Sequence, residues 1–286
     1  MGQNTLVASH HQPVPRTVTA SSLAGAGAGD SVTVVSMTAG EGTHNEQLHQ
    51  EMLKPPEQRD AARMERLVSD YAEQKAAEFK TACGCFGIED VRILPFRDKP
   101  FVKCDEAVQA VREIIYELRP ELLIAQSPYI NTKGHFGRQG LATIQEDDHT
   151  ECAITTLEAA RLASLPEYEA GESPHEIAMT LYPSVYFEQD QVDFWVDITE
   201  WKEQRVAAEL AFASQGHTEE WAEKRIEIQA GHDGWYQGTG YAEGFVRDRP
   251  ELLTHVQIPE LLLRKASAAP QDMHDQMAAG GSAAKL

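Results

Sequence analysis

The chain has 286 residues, of which 42% are hydrophobic and 24% are charged, and this ordinary globular composition excludes a mainly disordered protein. Its formal net charge of −20 repels phosphate backbones and anionic bilayers, so we expect neither nucleic acid nor a membrane as a partner. The four cysteines suggest no disulfide framework, and neither a signal peptide nor an apolar stretch long enough to cross a bilayer is visible. We therefore expect a soluble, cytoplasmic protein with reduced thiols.

Strands and helices alternate through the first part of the chain. Short apolar, β-branched runs predict strands at 5–9, 31–38, 91–94 and 121–126. A glycine-rich stretch at 21–29 and stretches with helical spacing predict helices between or after them, at 57–86, 105–118 and 149–165. This alternation predicts an α/β fold with a doubly wound, mostly parallel sheet, covered by helices on both faces.

The later part of the chain predicts a C-terminal β/α extension of the same sheet. Strands are predicted at 177–187, 193–198 and 241–246, and helices at 201–215 and 219–229. We expect residues 1–250 to form a single domain and residues 251–286 to form a C-terminal segment. From about residue 266 this segment is rich in Ala, Gly and Ser, so we expect it to be mobile.

Polar side chains cluster in the loops that follow the predicted parallel strands, where doubly wound sheets bind their ligands. His10 and His11 follow the first strand, and Asp148 and His149 begin the helix after the fourth. Imidazole and carboxylate groups are ligands for zinc and similar divalent ions. The same residues are also typical of a solvated loop pair and of a helix N-terminus, so spacing alone leaves both interpretations open.

Several segments resemble the PIG-L/LmbE superfamily, in the family's order along the chain. GDSVTVVSMTAGE (29–41) is similar to its second strand, and RPELLIAQSP (119–128) to the strand before its Pro-Asp-His segment. QEDDHTECAITTLEAARLA (145–163) is similar to that segment and its helix, while WVDITEWKEQRVAA (195–208) and YAEGF (241–245) are similar to late segments. The branch that contains 4-oxalomesaconate hydratases is the most similar.

The resemblance implies a divalent metal, most commonly zinc in this family, and a metal-bound water that attacks the substrate. It places His10 and His149 on two of the family's metal ligands. The match then fails, because Gln12 stands where deacetylases have a general-base Asp and Pro13 stands where the family has its third ligand. Glutamine does not accept a proton at neutral pH, and proline has no side-chain ligand atom.

Three accounts of this altered motif remain open. In the first, a substitute ligand completes the metal site, from among His11, Asp148 and Glu41. In the second, the pocket carries out acid/base chemistry without a metal, through His10, His11, His44 or Glu41. In the third, the chain is a non-catalytic relative that binds a small molecule.

Cationic and imidazole side chains near the predicted pocket are candidates for substrate binding. His135 and Arg138 lie on the long loop after the fourth strand, and Arg97 lies on the loop after the third. A guanidinium group binds a carboxylate through two parallel hydrogen bonds, so these residues favour a carboxylate-bearing substrate.

We therefore expect a metal-assisted hydratase or hydrolase that activates water toward a small polar substrate. An N-deacetylase of an amino-sugar-like substrate is the alternative within the family. The resemblance also implies a homo-oligomer. A dinucleotide site is disfavoured, because the first strand is not followed by Gly-x-Gly-x-x-Gly.

Overall fold

A seven-stranded sheet organises the molecule. The structure is a computed structural model and describes residues 4–9, 29–98, 100–128, 148–166, 171, 173–184 and 187–285. The strands lie in the order β3-β2-β1-β4-β5-β7-β6. Their bounds are β1 Asn4–Ser9, β2 Ser31–Thr38, β3 Asp90–Phe96, β4 Leu122–Ala125, β5 Met179–Pro183, β6 Phe194–Asp197 and β7 Ala242–Arg247. The first five are parallel, while β7 is antiparallel to both β5 and β6.

Helices cover both faces of this sheet. Their bounds are α1 Glu46–Met52, α2 Ala61–Gly84, α3 Asp105–Leu118, α4 Asp148–Ala163, α5 Lys202–Leu210, α6 Glu219–Ile226, α7 His232–Gln237, α8 Glu260–Ser267 and α9 Pro270–Ala278. A π-helical turn, Glu227–Gly231, joins α6 to α7. The side chain of Asp60 caps α2 by accepting a hydrogen bond of 3.0 Å from the Arg63 amide, which satisfies one of the open amides of the first turn.

The hydrophobic core lies in two layers, one on each face of the sheet. In β1, Val7 belongs to the layer under α2, α5 and α6, while its neighbours Leu6 and Ala8 belong to the layer under α3 and α4. In β2, Val34 and Val35 divide between the layers in the same way. Alternate side chains of a strand point to opposite faces, so a strand with helices on both faces is apolar throughout. The predicted fold class is confirmed.

The order of the strands places a topological switch point between β1 and β4. The chain proceeds from β1 outward through β2 to β3, and then returns to add β4 on the other side of β1. The strand that follows β1 in the chain and the strand that follows β4 therefore lie on opposite sides of this point. In open α/β sheets such a switch point is the usual place for a ligand. We refer to this side of the sheet as the carboxyl edge.

The C-terminal segment is more regular than its composition indicates. Besides α8 and α9, it forms a short 3-10 turn at Ala283–Lys285. Ser282 donates a hydrogen bond of 2.8 Å to Asp197, and the Ala283 amide donates one of 3.0 Å to Thr239. These contacts fasten the segment to the end of β6, and its predicted mobility stays a prediction. Within the described ranges no helix is long and apolar enough to cross a membrane.

Candidate active site

The carboxyl edge gathers those predicted site residues that the structure describes. Glu41 and His44 lie on the loop after β2, and Arg97 lies directly after β3. Asp148 and His149 form the start of α4, which returns from the carboxyl edge toward the opposite side of the sheet. The other predicted site residues, together with the two motif substitutions, lie outside the described residues: His10, His11, His135, Arg138, Gln12 and Pro13.

A pair of carboxylates joins the loop after β2 to the loop after β3. Oε1 of Glu41 accepts a hydrogen bond of 2.8 Å from the backbone amide of Asp98. In return, Oδ2 of Asp98 accepts hydrogen bonds from the Gly42 amide at 2.8 Å and from the Thr43 hydroxyl at 3.3 Å. Asp98 is only 3% exposed, so these bonds lie largely out of solvent. Glu41 and Asp98 thus fix the relative position of two loops of the site.

Carboxylates of α4 hold the segment that follows β3 from the other side. Oδ1 of Asp148 accepts a hydrogen bond of 3.0 Å from the Phe101 amide, and Oε2 of Glu151 accepts one of 2.7 Å from the Lys103 amide. Lys103 also forms an ion pair with Glu158, about two turns farther along α4. The acidic first turn that the sequence indicates therefore has a second role besides complementing the helix dipole, because it anchors a neighbouring loop.

The two described histidines of the prediction differ in their surroundings. His149 is partly buried in the first turn of α4, and its Nδ1 atom is buried. His44 is exposed and has a left-handed backbone with φ of 58°, which is uncommon for a residue other than glycine. Its carbonyl accepts a hydrogen bond of 3.0 Å from the Tyr71 hydroxyl. His44 thus contacts α2 through its backbone carbonyl, and Arg97, like His44, is exposed to solvent.

A buried cation lies close to the carboxyl end of β2 and was not among the predicted site residues. Lys75 of α2 is only 2% exposed, and its Nζ lies 5.6 Å from the ring centroid of Tyr71 and 6.0 Å from that of Phe212. A small cavity of about 10 Å³, with room for roughly one water molecule, is lined by Ser36, Thr38, Ala39, Lys75, Phe79, Ile93 and Phe212. The hydroxyl of Thr38 is buried there without a hydrogen-bond partner among the described residues.

The sequence analysis did not identify two residues of this edge, and only the first of them has a signal in the sequence. Lys75 occupies a position in the apolar stripe of α2, where a cation is out of place unless its charge is stabilised. Asp98 stands between two basic residues, Arg97 and Lys99, in the sequence, and these surroundings are typical of a solvated loop. Its burial depends on the contact with the loop after β2, which no local pattern indicates.

The described residues do not by themselves fit a metal ion. Within the described ranges no group of three or more His, Cys, Asp or Glu side chains lies close enough to hold one. Glu41, Asp98 and Asp148 each direct a carboxylate oxygen at a backbone amide. The predicted metal pair of His10 and His149 stays a prediction, because His10 lies outside the described residues.

An open α/β sheet with polar residues at its switch point is typical of proteins that bind small molecules there. Comparison of the sequence with protein families assigns the chain to one such family. Residues 17–160, half of the chain, match the family PIG-L, described as GlcNAc-PI de-N-acetylase. The chain belongs to this family, as the resemblance predicted. No curated protein matches the sequence.

Solved structures of enzymes share the fold. GalB, the 4-carboxy-2-hydroxymuconate hydratase from Pseudomonas putida KT2440, has a TM-score of 0.68 and 16% identity, covering 90% of this chain and 100% of that one. The N,N'-diacetylchitobiose deacetylase from Pyrococcus horikoshii has a TM-score of 0.64 and 19% identity, covering 91% and 88%. The zinc-inhibited form of teicoplanin deacetylase Orf2 has a TM-score of 0.52 and 15% identity, covering 87% and 100%. At these identities the likeness establishes the fold.

Proposed function

We propose that this protein is an enzyme that activates water at the carboxyl edge and adds it to a small, polar, carboxylate-bearing substrate. The observation that carries the proposal is the position of Asp148 and His149, in the first turn of the helix that leaves the switch point of a PIG-L family fold. Imidazole groups titrate near neutral pH, so a histidine there is suited to move a proton to or from water or substrate.

The proposal gives each predicted residue a role. His149, with His10 or His11 after β1, transfers the protons of the reaction where no metal is bound, and serves as a ligand where one is bound. Asp148 orients the first turn of α4, since one of its oxygens is hydrogen-bonded to the Phe101 amide. His44 and Glu41 belong to the loop that borders the site.

The substrate carboxylate is assigned to cationic side chains. Arg97, Arg138 and His135 are proposed to bind the substrate carboxylate and the other polar groups of the substrate. Lys75 supports an anionic substrate at a distance, because it is a buried cation near the end of β2 in a protein whose net charge is −20. The cavity beside its ammonium group has room for about one water molecule, so the carboxylate itself lies outside that cavity.

A divalent metal, with zinc as the first candidate, is proposed separately from these steps. A metal in such a site polarises the substrate and lowers the pKa of bound water. Because the described residues do not supply its ligands, we assign no step to it. Metal analysis of the purified protein by mass spectrometry, for the parent and for His149→Ala, tests the predicted site. Equal metal content in the two proteins would contradict His149 as a ligand.

Hydration is preferred to deacetylation because Gln12 occupies the position of the deacetylase base and because Lys75 favours an anionic substrate. GalB, whose fold this chain shares, is a hydratase of 4-carboxy-2-hydroxymuconate, so this compound is the first substrate to assay. N,N'-diacetylchitobiose is the corresponding substrate for the deacetylase alternative. Absence of turnover on both, with retained binding, would identify a non-catalytic relative.

A variant pair tests the role of His149. His149→Gln keeps a side chain of similar size and removes the titrating group, so we expect kcat/KM to fall by about a hundredfold or more. His255→Gln is the matched control, because His255 is fully exposed on the segment between β7 and α8, and its activity should equal that of the parent. Unchanged activity in His149→Gln would overturn the assignment.

We also propose that the chain forms a homo-oligomer. Large apolar side chains of α7 and of the segment before α8 are strongly exposed, among them Trp235, Tyr236, Val256 and Ile258. Exposed large apolar side chains are typical of interfaces between protein chains. Sedimentation equilibrium of the purified protein measures the oligomeric state, and a monomer at all concentrations would contradict the proposal.

A further inference from the structure

A groove lies at the end of the sheet where the parallel strands begin, opposite to the end that holds the candidate active site. It is bordered by the last turn of α4, by the start of β5 at Met179 and by the end of β7 at Arg247. Because β5 is parallel to β1 and β7 is antiparallel to it, both termini lie at the amino ends of the parallel strands. Its volume is about 660 Å³, well within the range of sites that bind small molecules.

Two guanidinium groups of this groove are available to a ligand. Arg161 is exposed on α4, and the nearby carboxylate of Glu158 forms its ion pair with Lys103 instead. Arg249 is 81% exposed, and its nearest carboxylate oxygens, on Glu176 and Asp248, are each 3.7 Å away. Exposed ion pairs of this kind contribute little to the stability of the protein, because water screens the charges and the side chains stay flexible. An incoming carboxylate can therefore replace them at small cost.

The rest of the lining limits the charge and sets the shape of the ligand. Three acidic side chains line the groove together with three arginines, so its local net charge is close to zero. The third arginine, Arg247, forms an ion pair of 2.8 Å with Glu251. These carboxylates repel a phosphate dianion about twice as strongly as a monocarboxylate, because the repulsion is proportional to the charge of the ligand. The apolar side chains of Leu157, Ile177 and Leu252 offer an apolar body a surface to contact.

We propose that this groove is a second binding site, for a small organic monocarboxylate with an apolar body, whose carboxylate is bound by Arg161 and Arg249. The site is separate from the candidate active site. The 16 residues of α4 separate Asp148 and His149 at one end from Arg161 at the other, a helix of about 24 Å. The proposal does not rest on the proposed function, since binding is measured without turnover.

Titration calorimetry with benzoate, at constant ionic strength, tests the site. We expect saturable binding of benzoate, and a dissociation constant that rises about tenfold in Arg161→Gln and again in Arg249→Gln, since each loses a charged hydrogen bond. Arg66→Gln, an exposed arginine of α2 outside the groove, is the matched control and should bind as the parent does. Benzamide, which has the same shape without the charge, should bind much more weakly.

Other results of these binding experiments would contradict the proposed groove or the assigned ligand. Unchanged benzoate binding in both groove variants, or no binding at all, would overturn the proposal. Binding of inorganic phosphate with the same dependence on Arg161 would overturn the assigned ligand class. Loss of benzoate binding in Lys75→Met would place the benzoate at the active site instead. Benzoate binding that persists in His149→Gln would support the separation of the two sites, whatever the activity of that variant.

Discussion

The backbone amide of Asp98 donates a hydrogen bond of 2.8 Å to Glu41, and the Asp98 carboxylate accepts one of 2.8 Å from the residue that follows Glu41. The two loops at the ends of β2 and β3 are therefore joined by reciprocal bonds. A carboxylate that holds backbone amides acts as a positioning residue. The predicted catalytic role of Glu41 stays a prediction, and Asp98 is expected to be important for the stability of these loops.

Asp98→Asn should destabilise the protein and make the loops after β2 and β3 less ordered. The variant replaces a charged acceptor by a neutral one at a residue that is only 3% exposed, and hydrogen bonds to charged acceptors are the stronger ones. We expect the free energy of unfolding in urea to fall by about 1–3 kcal/mol. Asp70→Asn, an exposed aspartate of α2, should change it by less than about 0.5 kcal/mol. Equal effects of the two variants would mean that the reciprocal bonds do not stabilise the protein.

Lys75→Met should fold normally and lose affinity for the substrate. The variant removes a buried ammonium that lies over the rings of Tyr71 and Phe212, so we expect the free energy of unfolding to fall by about 1–3 kcal/mol without loss of the fold. If the ammonium attracts the substrate carboxylate from beside the site, KM should rise by about tenfold. Lys80→Met, at an exposed position of the same helix, is the control. The assignment fails if KM stays at the parental value, or if a neutral ester of the substrate loses affinity equally.

Asp197 should make the stability of the protein sensitive to acid. Burial alone would raise the pKa of Asp197, but hydrogen bonds from Thr199, Ser282 and Thr239 outweigh it and lower the pKa below its ordinary value. A lowered pKa stabilises the folded state above the unfolded-state value near 3.9, and this contribution is lost as pH falls through the folded-state pKa. The free energy of unfolding in urea is measured near neutral pH and at about pH 3. Its decrease between the two pH values should be smaller for Asp197→Asn than for the parent.

An exposed aspartate serves as the comparison for this acid effect. Asp190→Asn lies outside the hydrogen-bond network and should retain the parental difference between the two pH values. Near neutral pH, Asp197→Asn should be less stable than the parent by about 1–3 kcal/mol, since it loses charged hydrogen bonds. If both variants follow the parental pH dependence, the network around Asp197 does not contribute to acid sensitivity.

Cys83 and Cys152 should be unreactive in the folded protein. Burial raises the pKa of each thiol to about 12, and in Cys83 the neighbouring Cys85 adds to this shift. Since the thiolate is the reactive form, a disulfide reagent at about pH 8 should leave both unmodified until the protein unfolds. Peptide mass spectrometry locates the modified residues. Cys85 and Cys104 are partly buried and should react first, and prompt modification of Cys152 would contradict its burial between α4 and the sheet.

The parts of the fold that the sequence predicts best are those whose patterns are local. The strand at 31–38 and the helix at 105–118 match β2 and α3, because a dense β-branched run and a regular apolar stripe each specify one structure. The helix α1 has only seven residues and a polar sequence, and it forms because Asn45 caps it and Leu48 is buried beneath it. The insertion of β7 between β5 and β6 arises from pairing between distant strands, which periodicity does not encode.

The candidate site was predictable only in part. The sequence placed Glu41, His44, Arg97, Asp148 and His149 on loops or helix starts that do lie at the carboxyl edge. It did not indicate that Glu41 and Asp148 are hydrogen-bonded to backbone amides, since that depends on three loops folding together. The association of His10 with His149, and the consequence of Gln12 and Pro13, stay predictions.

The most direct test of the central claim is the fate of the water oxygen in a reaction run in isotopically labelled water. The protein is incubated with 4-carboxy-2-hydroxymuconate and, separately, with N,N'-diacetylchitobiose, and the products are analysed by mass spectrometry. The proposed function predicts one labelled oxygen, and the mass of one water, added to the carbon skeleton of the first compound, with no acetate released from the second. Labelled acetate from the second compound, with the first unchanged, would contradict it.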